Sequence, residues 1–244
     1  STVTGYKAVL LAANRLQKFV PMIGTAIGPV RPSRFLVVGA GVVGLQAIAT
    51  AKRLGGMISA VDIRQKAREE ATSLGAAIGG FDVPGDLALG RGGYAKSLPA
   101  EWLEKEREAL RPLMADADVV ILSALVPGEV APVLVTDEMI ASMKPGSVIV
   151  DVSIDQGGNC AVTEAGRHIV RHNVTIDGLQ NIPGRVAIHS TWLYATNMYY
   201  YVENLFKGGD FRPDLEDEIV RSSLVTHEGR IVHQGTLKAM DQSN

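Results

Sequence analysis

Between residues 34 and 179 the chain alternates between short apolar runs and segments whose apolar residues recur at helical spacing. The runs hold few polar positions, a pattern typical of strands that are covered on both faces by helices. Segments 63–75 and 100–117 predict helices between these strands. The alternation predicts an α/β fold with a Rossmann-type, doubly wound parallel sheet. The predicted strands are 34–39, 57–62, a third that starts within 76–80, 118–124, 147–153 and 173–179.

The segments that flank this alternation predict other structures. Apolar spacing predicts a helix at 4–19, and the three prolines and two glycines of 21–33 predict a linker. A long helix is predicted from Pro183 to about Phe206, and two short strands within 223–233. We therefore expect three segments, with a second, incomplete domain in the last: a connecting helix and linker at 1–29, the Rossmann-type domain at 30–180, and a helix and tail at 181–244.

A glycine-rich turn follows the first predicted strand of the sheet. Gly39, Gly41 and Gly44 have the G-x-G-x-x-G spacing. The first glycine permits a sharp turn, the second lets a pyrophosphate approach the backbone, and the third lets the helix pack closely. The helix start near Val42 would then offer free N–H groups to the phosphates. In this strand–turn–helix context the motif predicts a dinucleotide site.

An acidic residue ends the second predicted strand, as such a site requires. Asp62 lies eighteen residues after Gly44 and can accept hydrogen bonds from the adenosine ribose. Its charge would repel a 2′-phosphate, which favours NAD over NADP as the cofactor, although Arg64 could bind such a phosphate instead. Ile63 lies between them. Ala124, Leu125 and Val126 follow the fourth strand and should line the crevice at the carboxyl ends of the strands.

Composition excludes several classes of function. The formal net charge of −2 argues against a nucleic-acid partner, and 46% hydrophobic residues suffice for a sizeable core. The single cysteine, Cys160, permits no intrachain disulfide, which fits a reducing compartment. The glycines and Gln46 of the longest apolar run, 35–51, argue against membrane insertion. The chain begins without Met or a signal peptide, so we expect a processed chain or a piece of a longer one.

Two further candidates have simple explanations. His168 and His172 have i, i+4 spacing, which on a helix could present two metal ligands, but no Glu or Cys accompanies them and we interpret them as a surface pair. We expect no metal site. Cys160 is interpreted as a buried thiol because it has no histidine partner in range.

Three segments resemble one family of oxidoreductases. Segments 47–56, 92–98 and 131–160 are similar to the NAD(H)-binding alpha subunit (domain I) of proton-translocating nicotinamide nucleotide transhydrogenases, and the resemblance runs from about Gly5 to His233. Its most specific element is "GGYAK", the counterpart of a mobile loop that closes over the nucleotide in that family. The resemblance implies that Gly93 and Tyr94 contact the cofactor from a lid, with Lys96 beside them and Gly90 and Gly92 in the hinge.

Alanine dehydrogenase, a related family, is the alternative. Segments 150–158 and 181–186 resemble it, and Asp155 stands where those enzymes carry a catalytic aspartate. Transhydrogenases often have Glu at that position. The Tyr94 loop and segment 215–233 instead resemble transhydrogenase, which we favour. Under that interpretation no catalytic residue is identified, because hydride transfer requires positioning rather than a nucleophile.

The resemblance implies hydride transfer from NADH to NADP⁺ held on a partner subunit, coupled to proton translocation in the full complex. It implies NADP(H)-binding and membrane subunits as partners, a homodimer, and a cytoplasmic location peripheral to the inner membrane. In both families an N-terminal half-domain precedes the first helix and supplies residues that act at the nicotinamide. This sequence starts after them, so a catalytically silent NAD-binding fragment is a third alternative.

Overall fold

The computed structural model of this chain describes residues 1–90, 93–126 and 128–241. It divides into two compact units, Ser1–Ala187 and Ile188–Asn244.

A seven-stranded sheet forms the centre of the first unit. Its strand order is β5-β4-β3-β6-β7-β9-β8, and every neighbouring pair is parallel except β8 and β9. The chain proceeds from β3 towards one edge and then returns to β6 on the other side of β3, which is the order of a doubly wound fold. The predicted Rossmann-type sheet is therefore confirmed, with an antiparallel edge strand in addition. The strands of this unit are β1 (Ile23–Thr25), β2 (Gly28–Val30), β3 (Arg34–Val38), β4 (Met57–Val61), β5 (Ala77–Ile78), β6 (Val119–Leu122), β7 (Val148–Asp151), β8 (His168–Arg171) and β9 (Val174–Asp177).

Helices cover both faces of this sheet. Alternate residues of β3 point to opposite sides, so Phe35 and Val37 join one apolar core while Leu36 and Val38 join another. The first core includes buried residues of α1, α2 and α3, and the second includes those of α5 and α6. Both faces of the central strands are therefore apolar, which explains their unbroken apolar runs. The helices of this unit are α1 (Thr2–Arg15), α2 (Val42–Arg53), α3 (Gln65–Ser73), α4 (Gly85–Ala88), α5 (Ala100–Asp116) and α6 (Asp137–Ala141).

The first helix is anchored in this core. Ala8, Val9 and Ala12 of α1 are fully buried. At Gly5 an added Cβ would lie 2.1 Å from the Val43 carbonyl oxygen, so only glycine permits the close approach of α1 to α2. Arg15 then pairs with the Asp177 carboxylate at the end of β9, with Nε and Oδ2 2.6 Å apart. These contacts fix α1 beside the glycine-rich turn.

One expectation about local structure was wrong, and one spacing has a different structural context. The segment predicted as a linker contains the hairpin of β1 and β2. His168 and His172 were interpreted as a surface pair, and both are exposed; His168 begins β8 and His172 lies in the two-residue turn before β9, so they are not on a helix. His172 and Asn173 both have positive φ, as a type I′ turn requires, so the i, i+4 spacing has no helical meaning there. Both histidines are exposed, and His172 pairs with Asp137.

The second unit begins within a long helix, α7 (Ala187–Asn204), none of whose residues is buried. The two short strands predicted near the Glu228–Gly229 turn are present, and a further hairpin precedes them. No helix among the described residues is long and apolar enough to cross a membrane. The other elements of this unit are β10 (Phe206–Lys207), β11 (Asp210–Phe211), α8 (Glu218–Ser223), β12 (Thr226–His227), β13 (Arg230–Ile231) and α9 (Gln234–Asp241).

Candidate nucleotide-binding site

A cavity of about 440 Å³ opens at the carboxyl ends of β3, β4 and β6. This is the point where the strand order reverses, and ligands of doubly wound sheets bind in the crevice there. Gly44 and Gly93 are not among the residues that line it. The predicted site residues that line the cavity are Gly39, Gly41, Val42, Asp62, Ile63, Arg64, Tyr94, Ala124 and Leu125.

The three glycines of the turn meet different steric demands. Gly39 has a φ of +88°, and an added Cβ would lie 2.7 Å from the Ser123 and Ala124 backbone. A Cβ at Gly44 would lie 1.9 Å from the Gly39 carbonyl oxygen, so this glycine lets the helix pack against the turn. At Gly41 the nearest atom would be 3.8 Å away. The protein itself therefore requires glycine at 39 and 44, whereas Gly41 leaves space that a ligand can fill.

The start of α2 faces this space. Gly41 is the N-cap residue and makes no side-chain cap, and no acidic residue lies in the first turn. The first N–H groups of a helix have no partner within it and carry the positive end of the helix dipole. Val42 is 61% exposed at this position although it is apolar. The arrangement offers donors to an anion in the cavity.

Asp62 connects the turn to the end of β4. It is 6% exposed, and its Oδ2 accepts a hydrogen bond of 2.8 Å from the Ala40 backbone N–H. The Arg64 guanidinium forks over the same carboxylate, with Nη2 2.8 Å from Oδ2 and Nε 3.0 Å from Oδ1. This hydrogen bond raises the pKa of Arg64 above its ordinary value. The Asp62 oxygens that would accept hydrogen bonds from the ribose hydroxyls already accept hydrogen bonds from Arg64. The sequence did not indicate this pairing.

The loop after α4 forms one wall of the cavity. The Gly90 N–H donates to the Tyr94 carbonyl oxygen at 2.9 Å, and the Lys96 N–H donates to that of Ala88 at 3.1 Å. Tyr94 lines the cavity and is 59% exposed. Gly93 has a φ of +77°, which favours glycine, while Gly92 of the predicted hinge lies outside the described residues.

A second wall, after β6, is held by a buried amide. Asn159 is fully buried; its Oδ1 accepts from the Ala124 N–H at 3.0 Å and its Nδ2 donates to the Ala124 carbonyl at 2.8 Å. Ser153 donates to the same Oδ1 at 2.6 Å. Asp151 in turn accepts from the Asn159 and Cys160 N–H groups, and burial raises its pKa. This network fixes the backbone that a ligand would contact.

Glu106 on α5 also lines the cavity, and the sequence reasoning missed it. It is 6% exposed, and burial together with the charge of Asp62 raises its pKa to about 7. The signal was available, because Glu106 stands at helical spacing with the buried Leu110 and Met114. A carboxyl group on the apolar face of a helix requires a partner or a function.

The remaining candidates lie apart from these walls. Asp155 is exposed in the 3₁₀ segment after β7 and accepts a hydrogen bond of 3.3 Å from the Asn181 N–H; it does not line the cavity. Cys160 is 4% exposed, and burial raises the pKa of its thiol, which matches a structural residue.

Comparisons with known proteins identify the family. The family model for the alanine dehydrogenase/PNT C-terminal domain matches residues 8–234. The chain is 43% identical to an NAD(P) transhydrogenase alpha-subunit protein from Rhodospirillum rubrum, over 96% of this chain and 62% of that protein. It is 31% identical to an alanine dehydrogenase from Halomonas elongata, over 98% and 61% of the two chains.

A solved structure gives the same result. The transhydrogenase from Sinorhizobium meliloti superposes with a TM-score of 0.77 at 39% identity, over 95% of this chain and 61% of that one. The chain spans about three-fifths of the length of the relatives from Rhodospirillum rubrum and Rickettsia prowazekii, and less than half of the length of two other transhydrogenase alpha subunits. The family resemblance drawn from the sequence is thus confirmed: the chain belongs to the alanine dehydrogenase/PNT family, with greater identity to these transhydrogenase alpha subunits than to that alanine dehydrogenase.

Proposed function

We propose that this chain binds NAD(H) in the cavity at the carboxyl ends of β3, β4 and β6. The observation that carries the proposal is the space beside Gly41, which adjoins the uncapped start of α2 and the Asp62 carboxylate. A pyrophosphate fits that space because the backbone N–H groups there have no acceptor within the helix. We place the domain that binds it at residues 30–180, with 1–29 and 181–244 as flanking segments.

Each predicted site residue has a role in this proposal. The glycine turn and Val42 meet the pyrophosphate, and residues 62–64 meet the adenosine ribose. The loop with Gly93 and Tyr94 covers the nucleotide, and Ala124 and Leu125, after β6, lie beneath it. The proposed cofactor-binding residues are Gly39, Gly41, Val42, Gly44, Asp62, Ile63, Arg64, Gly93, Tyr94, Ala124 and Leu125.

The ribose can reach Asp62 only when the Arg64 guanidinium gives up one arm of its fork, because both carboxylate oxygens are paired with it. Arg64 is then free to contact the adenosine from the side. Because the guanidinium keeps one hydrogen bond to Asp62 and lies near the phosphates of the nucleotide, its charge stays paired when the ribose binds.

We further propose that the bound NADH transfers hydride to NADP⁺ on a partner subunit. The bound cofactor supplies the hydride; the chain holds it by its phosphates and ribose, and the Tyr94 loop excludes water from it. In this proposal the chain works as a homodimer with NADP(H)-binding and membrane subunits. It lies in the cytoplasm at the inner membrane, and the full complex couples transfer to proton translocation. The similarity to transhydrogenase alpha subunits supports the choice.

An alanine dehydrogenase is the second candidate, and Asp155 would be its catalytic aspartate. The 31% identity to such an enzyme favours it, whereas the position of Asp155 away from the cavity does not. A fragment that binds NAD without activity is the third candidate.

One comparison separates these candidates. NADH binding is measured by fluorescence titration. Hydride exchange from NADH to an NADP⁺ analogue is then measured with a transhydrogenase NADP-binding domain added, and turnover of pyruvate and ammonia is measured without it. Exchange that requires the added domain supports the transhydrogenase function, pyruvate turnover supports the alternative, and binding without either supports the silent fragment. Absence of NADH binding would overturn the proposal itself.

A further inference from the structure

Glu106 is a buried carboxyl group in the wall of the cavity, and none of the roles above uses it. It is 6% exposed and lines the cavity together with Asp62 and Leu103. Among the residues that the structure describes, none donates a hydrogen bond to its side chain. An ionised carboxylate without donors is costly to bury, so the neutral acid is favoured in this environment.

The charged groups around Glu106 come from several elements. Asp62, after β4, raises the pKa of Glu106, whereas Arg107, the next residue of α5, lowers it. Arg64 also lines the cavity, but its charge is paired with Asp62. Burial is the largest influence, and the resulting pKa is about 7. Among the described residues, the other titratable groups at the cavity are the side chains of Tyr94 and Lys96 and the α-amino group of Ser1.

A bound dinucleotide would act on Glu106 in the same direction as burial. Its pyrophosphate adds negative charge to the cavity, and its adenosine displaces water from the wall. Both effects disfavour the carboxylate, whereas the neutral acid has an O–H that a ring nitrogen or ribose oxygen can accept. The nucleotide therefore binds more tightly to the protonated form.

We propose that Glu106 couples dinucleotide binding to the uptake of one proton from the solvent. The inference rests on the proposed NAD(H) binding and adds a pH dependence to it. The Glu106 carboxyl group of the free chain loses its proton at about neutral pH. At higher pH, nucleotide binding therefore requires that Glu106 takes up a proton from the solvent. The affinity then falls as the pH rises above neutrality, by up to about tenfold per pH unit while the complex stays protonated.

The test is a titration of the 244-residue chain with NADH between pH 6.5 and pH 9. Calorimetry in two buffers of different ionisation enthalpy gives the number of protons taken up. For the wild type we expect an uptake that approaches about one proton per nucleotide and a Kd that rises with pH. For Glu106→Gln, which resembles the neutral acid, we expect no uptake by this group and a Kd that stays near the wild-type value at low pH.

Glu108→Gln is the matched control, because Glu108 is an exposed residue of the same helix. It should keep the wild-type uptake and pH profile. A wild-type Kd that does not change with pH, or a Glu106→Gln variant that keeps the full pH dependence, would overturn the role of Glu106 while NADH binding itself stands. No NADH binding to the wild type at any pH would overturn both proposals. Melting curves of the variants verify that each is folded.

Discussion

In the proposed site, the ion pair between Asp62 and Arg64 would select the nucleotide. The Asp62 carboxylate accepts hydrogen bonds from the Arg64 guanidinium and from the Ala40 N–H at the same time. With the carboxylate in place, Arg64 is neutralised and a 2′-phosphate would meet Asp62. Without it, the guanidinium is unpaired and suits a phosphate, which it can bind bidentately.

Asp62→Ser should therefore change the cofactor preference. We expect the ratio of NADPH affinity to NADH affinity to rise at least about tenfold, because Arg64 becomes available to the 2′-phosphate. Fluorescence titration with both nucleotides measures it. The double variant Asp62→Ser/Arg64→Ala is the control and should lose the gain. An unchanged ratio in the single variant would show that this pair does not select the nucleotide.

Glu106 also predicts how stability depends on pH. In the unfolded chain this group ionises near its ordinary pKa of 4.5, whereas in the fold its pKa is about 7. As the pH rises from about 5 to 7 the unfolded chain loses the proton first, so folding loses stability, and the loss is complete above pH 7.

Glu106→Gln removes that loss. At pH 8 the variant should be more stable than the wild type, by up to the order of 3 kcal/mol, and at pH 4 the two should be similar. Urea unfolding at both pH values gives the difference. A wild type that is as stable as the variant at pH 8 would mean that the buried carboxyl group ionises without penalty.

At the scale of elements, two glycines of the turn serve different purposes: Gly44 allows helix packing, and Gly41 leaves space for the proposed ligand. A methyl group at Gly44 would collide with the Gly39 carbonyl oxygen, which is a backbone atom and cannot move aside as a flexible side chain can. Among the described residues, and apart from the chain neighbours, the atom nearest to a methyl group at Gly41 would be Arg64 Nη2 at 3.8 Å. The two positions form a matched pair within one motif.

Gly44→Ala should destabilise the fold by about 1–3 kcal/mol or more, because helix α2 must move away from the turn. Gly41→Ala should cost less than about 1 kcal/mol, the usual range for such a change at an N-cap. Chemical denaturation followed by circular dichroism compares them. Equal losses for the two variants would contradict the packing assigned to Gly44.

The loop before α5 gives a prediction of its own. Tyr94 is 59% exposed at the cavity, so Tyr94→Ala should change stability by less than about 0.5 kcal/mol. If the loop is a lid, the variant should slow hydride exchange by about tenfold, because the nucleotide is less well shielded and positioned. Tyr200→Ala, at a 62% exposed position of α7, is the control for exchange. A Tyr94→Ala variant that unfolds would identify Tyr94 as a core residue and end the lid hypothesis.

The elements that could be predicted are those with a strong periodic signal. β3, β6 and β7 are buried on both faces, so their sequences are continuous apolar runs. The hairpin of β1 and β2 was missed because three-residue strands carry no period, and the prolines indicated a linker. In β8 the short run "HIVR" fits a strand or a helix, and only the turn at His172–Asn173 decides between them.

Side-chain geometry limited the prediction of the site in a different way. The G-x-G-x-x-G spacing gave the turn, and Asp62 lies where the spacing placed it, since both follow from the backbone of a βαβ unit. The fork of Arg64 over Asp62 depends on rotamers, which a one-dimensional pattern does not encode. Glu106 lies outside the motif, and its importance depends on which face of α5 the sheet covers.

At the scale of the whole molecule, the sheet is a scaffold that brings three distant segments to one edge. The turn after β3, the acidic end of β4 and the wall after β6 meet because parallel strands place their carboxyl ends together. Helix α1 packs against α2, and Asn159 holds the backbone after β6. The proposed chemistry requires no nucleophile from this chain, so its contribution is to bind and orient the cofactor.

The central claim is that a dinucleotide rests with its phosphates against the start of α2 beside Gly41. The most direct test is a fluorescence titration of NADH into the wild type and into Gly41→Ala, with melting curves for both. We predict saturable binding to the wild type and at least about tenfold weaker binding to the variant, with similar melting temperatures. Equal affinity in a folded Gly41→Ala variant would contradict the claim.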